Sequence, residues 1–281
     1  MATFPAAQAL PFRDAWAGAR RVPTAVILSF AVVFIVVAWS LLPDLFTHHD
    51  AYVGDTSQKL LPPSARYWFG TDHLGRDLFT RVVHGTWASV TSAAMAVAVG
   101  LVAGGLMGLL AGFLGGWTDT VVARLVDVLL AIPNFLLAVV IVSSFGFETT
   151  NIAIATGVSS VAAFARLMRS EVLRTSTSVF VEASGLLGGS RWHILLRHVL
   201  PNSSRSVLAL AVLQFGTSIL IIAGLAFLGY GDPPPAADWG LLVASGKDYP
   251  SSPWLVFAPA GVIVVTVLAI NRISRWIRHA H

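Results

Sequence analysis

The sequence predicts an all-α membrane protein with six transmembrane helices and both termini cytoplasmic, and three observations carry that reading. Hydrophobic residues make up 56% of the 281-residue chain and charged residues only 11%, where soluble domains carry roughly a quarter charged; mean hydropathy is +0.75. The apolar residues fall into runs close to the roughly 20 residues that a helix needs to cross a bilayer core. The arginines cluster beside those runs, in an order that only six crossings satisfy.

The first run, 24–42, follows Arg13, Arg20 and Arg21. A cleaved signal peptide has an apolar region of about 7–15 residues and a small-residue cleavage site. This run is longer and continues into Leu42-Pro43-Asp44-Leu45, so it reads as an anchor. Residues 43–87 form a long external segment in which Lys59, Arg66, Arg76 and Arg81 are offset by Asp50, Asp55, Asp72 and Asp77. The second run, 88–113, places Gly100, Gly104, Gly108 and Gly112 on one face, where small residues admit the backbone of a neighbouring helix. After a cytoplasmic turn at 115–120, the third run, 121–145, carries Arg124, Asp127 and Pro133. Charges in hydrocarbon need a reason; at i and i+3 near the cytoplasmic end, Arg124 and Asp127 are expected to pair, with a gate as the alternative. Pro133 removes a backbone donor and bends the helix; a hinge for opening a pathway and a passive kink both fit it.

An external turn at 146–151 leads to the fourth run, 152–167, which is short and diluted by Thr156, Gly157, Ser159 and Ser160. Charge decides that it spans. Arg166 lies at its end, Arg169, Arg174, Arg191, Arg197 and Arg205 follow it, and Arg272, Arg275 and Arg278 close the chain. The positive-inside rule puts these and the N-terminal cluster on one side only if four helices precede the Arg-rich loop and two follow it. The fifth run, 207–228, contains one strongly polar residue, Gln214, which faces a pathway or bonds to another helix rather than meeting lipid. A Pro-rich external loop, 229–253, joins it to the sixth, 254–270.

Net charge +4 and an isoelectric point near 10.0 reflect this topology rather than a nucleic-acid surface, so lipid and not nucleic acid is the expected environment. Cysteine is absent. His48-His49 and His279/His281 read as solvated interfacial residues, a metal site being the alternative. Lys59 and Lys247 are the only lysines, so no Gly-x4-Gly-Lys phosphate loop exists, and no His-Glu-x2-His or Gly-x-Ser-x-Gly nucleophile motif is present. No catalytic, metal or cofactor residue is expected. A membrane protease or a receptor would need such residues or an output domain, and a passive channel is the remaining alternative.

Three polar strings stand out. Gly70-Thr71-Asp72-His73-Leu74-Gly75-Arg76-Asp77, with Thr80-Arg81 beyond, reads as a capped turn in which Thr71 or Asp72 caps a helix from Leu74 onward. Arg76 is expected to pair with Asp72 or Asp77. Glu182-Ala183-Ser184, then Gly188, then His198-Val199-Leu200-Pro201-Asn202 lie between two apolar runs. Residues 182–188 read as a short amphipathic helix whose Val179, Val181, Leu186 and Leu187 seat in a groove. Glu182 suits the positive end of the helix dipole, Gly188-Gly189 break the helix, and Leu200-Pro201-Asn202 restart the chain into the fifth span. Phe227-Leu228-Gly229, Pro233-Pro234-Pro235 and Trp239-Gly240 form the third series, for docking or gating on the outer face, or for interfacial anchoring by Trp239.

In this order, over about 69–277, the strings resemble the permease subunits of ABC importers of the dipeptide, oligopeptide and nickel family, the C-type subunit most closely. The resemblance implies a type I ABC importer permease fold, with a core domain at 69–281 that includes a coupling loop at 168–206. Residues 1–68 would be the N-terminal cytoplasmic segment, first helix and external loop. It implies import of di- or oligopeptides across a bacterial cell membrane by a heterodimer with a second, homologous permease. Two partner ATPase domains would hold the ATP and Mg2+, and an extracytoplasmic binding protein would deliver substrate. It assigns ATPase coupling to Glu182, Ala183, Ser184, Gly188, Leu200 and Pro201, and the external motif to Gly70, Thr71, Asp72, Gly75, Arg76 and Asp77. Gln214, Pro133 and Asp127 are the pathway or gate candidates. The chain departs from the family at Ser184, where Ala is usual, and at Gly185, whose place inside a helix costs roughly 1 kcal/mol.

Overall fold

The computed structural model describes residues 23–279. Arg13, Arg20, Arg21 and His281, and the side chains of Arg278 and His279, lie outside the described residues. The described chain is helical, with one isolated bridge between Thr71 and Asp77 and no strand. The first helix, α1, spans Thr24–Leu41; α2 spans Leu78–Leu114, α3 Gly116–Ala131 and α4 Asn134–Phe145. Then come α5, Thr149–Ser176, the short α6, Val179–Leu186, and α7, which runs Arg191–Tyr230 with π turns at Leu195–Val199 and Ala226–Tyr230. The chain ends in α8, Trp239–Gly246, and α9, Trp254–His279.

Five of these are long and apolar enough to cross a membrane: α1, α2, α5, α7 and α9. The third span, expected at 121–145, is not one helix. It breaks into α3 and α4, bent by 93°. The weak point is local: Ile132 is extended (φ −95°, ψ 127°), as a residue before proline prefers, and Pro133 has no N–H to continue the helix. The second span starts at Leu78 rather than 88, because Asp77, not Thr71 or Asp72, is its cap and accepts from the N–H of Phe79 and Thr80.

The weakest run in the sequence makes the most enclosed helix. In its most apolar 18-residue window, 67% of α5 is buried. Ser159 and Ser160 donate to the carbonyls of Thr156 and Gly157 at 2.8 and 2.7 Å, so these hydroxyls enter the core without outside partners. The glycine face of α2 lies against α5. A Cβ on Gly104 would come within 2.3 Å of the Val161 carbonyl, and one on Gly108 within 2.3 Å of that of Ala165. Hydrogen removes the steric floor, and the two backbones meet.

Around this pair, α7 and α9 join through the Ser274 hydroxyl, which donates to the Ala209 carbonyl at 3.2 Å. On the outside, α1 packs on α9, with Phe30 edge-on to Trp276. The main apolar core joins Leu78, Val82, Ala96, Val142, Ile152 and Leu225. Trp239, at the start of α8, is 0% exposed within it. Its indole N–H donates to the Val82 carbonyl at 3.1 Å, and its backbone N–H to the Ser89 hydroxyl at 3.0 Å. Trp239 therefore ties α8 into the bundle and does not anchor it at a membrane interface.

Candidate functional site

The short α6 stands at the end of the bundle where α5 ends and α7 begins. Its sequence closes it neatly. Gly188 adopts φ +84°, and its N–H bonds to the Gly185 carbonyl while that of Gly189 reaches back to Ser184 at 3.0 Å. This is the Schellman arrangement, which needs a residue in the left-handed region just past the helix. Ser190 then caps the next turn by accepting from His193 N–H at 3.2 Å, and α7 begins.

Among the described residues, this chain itself offers no groove beneath most of α6. Only Val181 turns inward, 7% exposed, onto a small core of Val172, Leu195, Val199 and Val207. Val179, Leu186 and Leu187 are 82%, 90% and 89% exposed. Glu182 and Ala183 are exposed beside them and Ser184 is half-buried. The helix is pinned by one residue and offers the rest of its apolar face outward. Leu200-Pro201-Asn202 open the regular α-helical stretch of α7, as expected, but they follow the π turn with no break in the helix. Pro201 cannot donate to the turn before it, and the π turn immediately upstream, where Leu200 N–H bonds to the Leu195 carbonyl, accommodates that loss.

At the same end, α3 and α5 are clasped by Asp119 and Arg169, the guanidinium forking onto both carboxylate oxygens, with Nη2 to Oδ2 at 2.7 Å. This pair displaces the predicted one. Arg124 and Asp127 are both exposed, and no ion pair joins them among the described residues. No sequence signal marked Asp119 and Arg169 as partners, since they are separated by 50 positions.

Asp127, Pro133 and Gln214 do not converge on one another. Asp127 and Pro133 are exposed, and Gln214 is half-buried in α7. Between α3, α5 and α7 lies a cleft of about 600 Å³ whose lining includes Leu130, Arg166, Ser170, Ser206 and Leu210. On α7, Ser206, Leu210 and Gln214 recur every four residues, so Gln214 continues the face that lines this cleft.

The opposite end is built on the 70–77 string. Asp72 is buried and accepts from Arg76 Nε at 2.7 Å, from the backbone of Leu74 at 2.8 Å and from that of Arg76 at 3.0 Å. The expected Arg76–Asp72 pair is therefore formed. Arg81 Nε lies 3.7 Å from the same carboxylate, and its Nη atoms donate to the carbonyls of Ala51 at 2.9 Å and Ala236 at 3.0 Å. Thr71 gives its hydroxyl to the Gln58 carbonyl at 2.6 Å and accepts from Leu61 N–H at 2.8 Å. Gly70 and Gly75 have φ +78° and +75°, and a Cβ on Gly75 would sit 1.8 Å from the Asp55 carbonyl. The motif is thus a rigid fold of the long 43–77 segment, locked to α2 and to the loop before α8. In that loop, burial pushes the Asp238 carboxyl up, against the lowering effect of the Leu241 and Gly240 N–H groups that it accepts. The exposed Asp50 carboxyl is held below its ordinary value by the backbone N–H of Tyr52 and Val53.

Among the described residues, no three His, Cys, Asp or Glu side chains gather to hold a metal. The described chain is thus a helical bundle of candidate membrane spans with one broken span, a tied-in short helix at one end and a projecting apolar helix at the other. The same fold occurs in the inward-facing methionine ABC transporter, with a TM-score of 0.60 over 72% of this chain and 96% of that one at 17% identity. Residues 104–280 match the family of binding-protein-dependent transport system inner membrane components, and the chain belongs to that family. It is 36% identical over 272 residues to a dipeptide transport system permease protein of Alkalihalophilus pseudofirmus, covering 96% of this chain and 89% of the relative. It is 34% identical over 271 residues to a glutathione transport system permease protein of Pectobacterium atrosepticum, covering 96% and 90%. The chain is a permease subunit of an ABC importer, a transport component and not an enzyme.

Proposed function

We propose that this chain is the C-type half of a heterodimeric permease that imports di- or oligopeptides across a bacterial inner membrane, paired with a second, homologous permease. Two partner ATPase domains hold the ATP and Mg2+, and this chain binds no cofactor. The α6 end faces the cytoplasm, both termini with it, and the end built on 43–77 and 229–253 receives the extracytoplasmic binding protein. The observation that carries the reading is the exposed apolar face of α6. A lone two-turn helix in water gains nothing by displaying Val179, Leu186 and Leu187, unless a partner covers them. The ATPase surface is that partner. Glu182, Ala183, Ser184 and Gly188 form the contact, and Leu200 and Pro201 lie on α7, which carries the movement into the membrane. The peptide assignment rests on the dipeptide and glutathione permeases among the relatives.

The test separates folding from coupling. Leu187→Asp and Glu182→Lys alter side chains that face away from the bundle, so membrane abundance should stay near normal. Peptide uptake and substrate-stimulated ATPase activity of the assembled complex should fall at least about tenfold, the loss of a contact worth about 1.4 kcal/mol or more. Normal transport by both variants would remove the coupling role from α6.

A further inference from the structure

A charged side chain within a spanning helix needs a reason, because hydrocarbon does not solvate it. Arg166 is such a side chain. It lies on α5 about 15 Å along the helix from Ser176, in the cleft between α3, α5 and α7. One turn on, Arg169 is held by Asp119. Arg166 is exposed and makes no hydrogen bond or ion pair among the described residues.

The rest of the cleft says what would satisfy it. Leu130, Leu167 and Leu210 give apolar walls, and Ser170 and Ser206 add two hydroxyls. The Ser206 hydroxyl has no partner among the described residues, and Gln214, farther along the same face of α7, has none either. A guanidinium presents a planar fork that matches a carboxylate. The cleft therefore suits a small molecule with one carboxylate, further hydrogen-bonding groups and an apolar body.

We propose that this cleft is a station on the translocation pathway for the free C-terminal carboxylate of the transported peptide, with Arg166 as its ligand. The inference rests on the peptide-importer reading above and deepens it. Every linear peptide carries that carboxylate whatever its side chains, so one arginine can serve a mixed set of substrates while the leucine walls accept their variety. Gln214 stands where the peptide's amide groups would follow.

The chain has no cysteine, so Ala163→Cys places a single reporter among the lining residues of the cleft. In the assembled complex in phosphatidylcholine nanodiscs, with labelling of this chain read by gel shift, dialanine should slow modification and dialaninamide should not. Arg166→Gln should raise the dialanine concentration needed for protection about tenfold or more, the loss of a charged hydrogen bond, and Arg166→Lys should recover part of it. Equal protection by the acid and the amide, or protection indifferent to Arg166, overturns the site. So does protection that appears without peptide when phosphatidylglycerol replaces phosphatidylcholine, which would make the cleft a lipid headgroup site. Dialanine uptake by the same complex without protection removes the station alone. If the complex takes up neither dialanine nor longer alanine peptides, the importer reading falls as well.

Discussion

At the residue scale the 70–77 string shows how much of a site local spacing carries. The Arg76–Asp72 pair is legible because four residues of sequence bring the two groups together in one tight turn, with Gly70 and Gly75 supplying the left-handed backbone. What spacing cannot show is that Arg81 converges on the same carboxylate and spends its other donors on Ala51 and Ala236. Asp72 is therefore the one carboxylate shared by two buried guanidinium groups. Asp72→Ala should cost about 3–5 kcal/mol, the range for orphaning a buried ion-pair partner, and should be read as loss of folded protein in detergent thermal melts. Arg66→Ala, on the exposed part of the same segment, should shift the melt by no more than about 0.5 kcal/mol. Equal effects would mean that the buried network is not what holds this end together.

Helices reveal themselves in sequence through composition, and their partners through shape. The every-fourth-residue glycines of α2 foretell a close neighbour but do not say which. The neighbour is α5, the run with the poorest hydropathy among the candidate spans, because a helix enclosed by protein needs small residues more than apolar ones. The contact makes a sharp contrast testable. Gly104→Ala would drive a methyl to 2.3 Å from the Val161 carbonyl, whereas Gly105→Ala meets nothing nearer than Met168 Cε at 3.8 Å. The first should separate the pair and reduce folded yield severalfold; the second should be neutral or stabilise by about 0.5–1 kcal/mol through helix propensity. Comparable thermal melts for the two would refute the packing. The third span is the converse case. A proline was visible in it, but whether the helix bends or breaks depends on whether the surrounding bundle holds the two halves in line, and here it does not.

For the whole molecule, the topology is the property on which the functional reading turns. Ser190 and Ser251 are exposed at opposite ends, whereas Ala237 is buried against Gly85 and would make a poor reporter. In intact cells, Ser251→Cys should react with a membrane-impermeant maleimide and Ser190→Cys should react only after permeabilisation. The reverse pattern would invert the protein and detach α6 from any cytoplasmic ATPase.

Composition, run length and the order of arginine clusters were enough to predict a helical membrane protein with its loops in sequence, because hydrocarbon imposes the same demand on every spanning residue. The end of α6 was also written locally, since Gly188 and Gly189 can close a helix without help from the rest of the chain. Tertiary structure alone decided the rest. It chose Arg169 and not Arg124 as the partner of a carboxylate, drew Trp239 into the core, broke the third span at Pro133 and left Leu186 and Leu187 facing outward. Each of these depends on which surfaces meet across tens to hundreds of residues, and the free energy of such a meeting belongs to the pair of surfaces, not to either stretch of sequence.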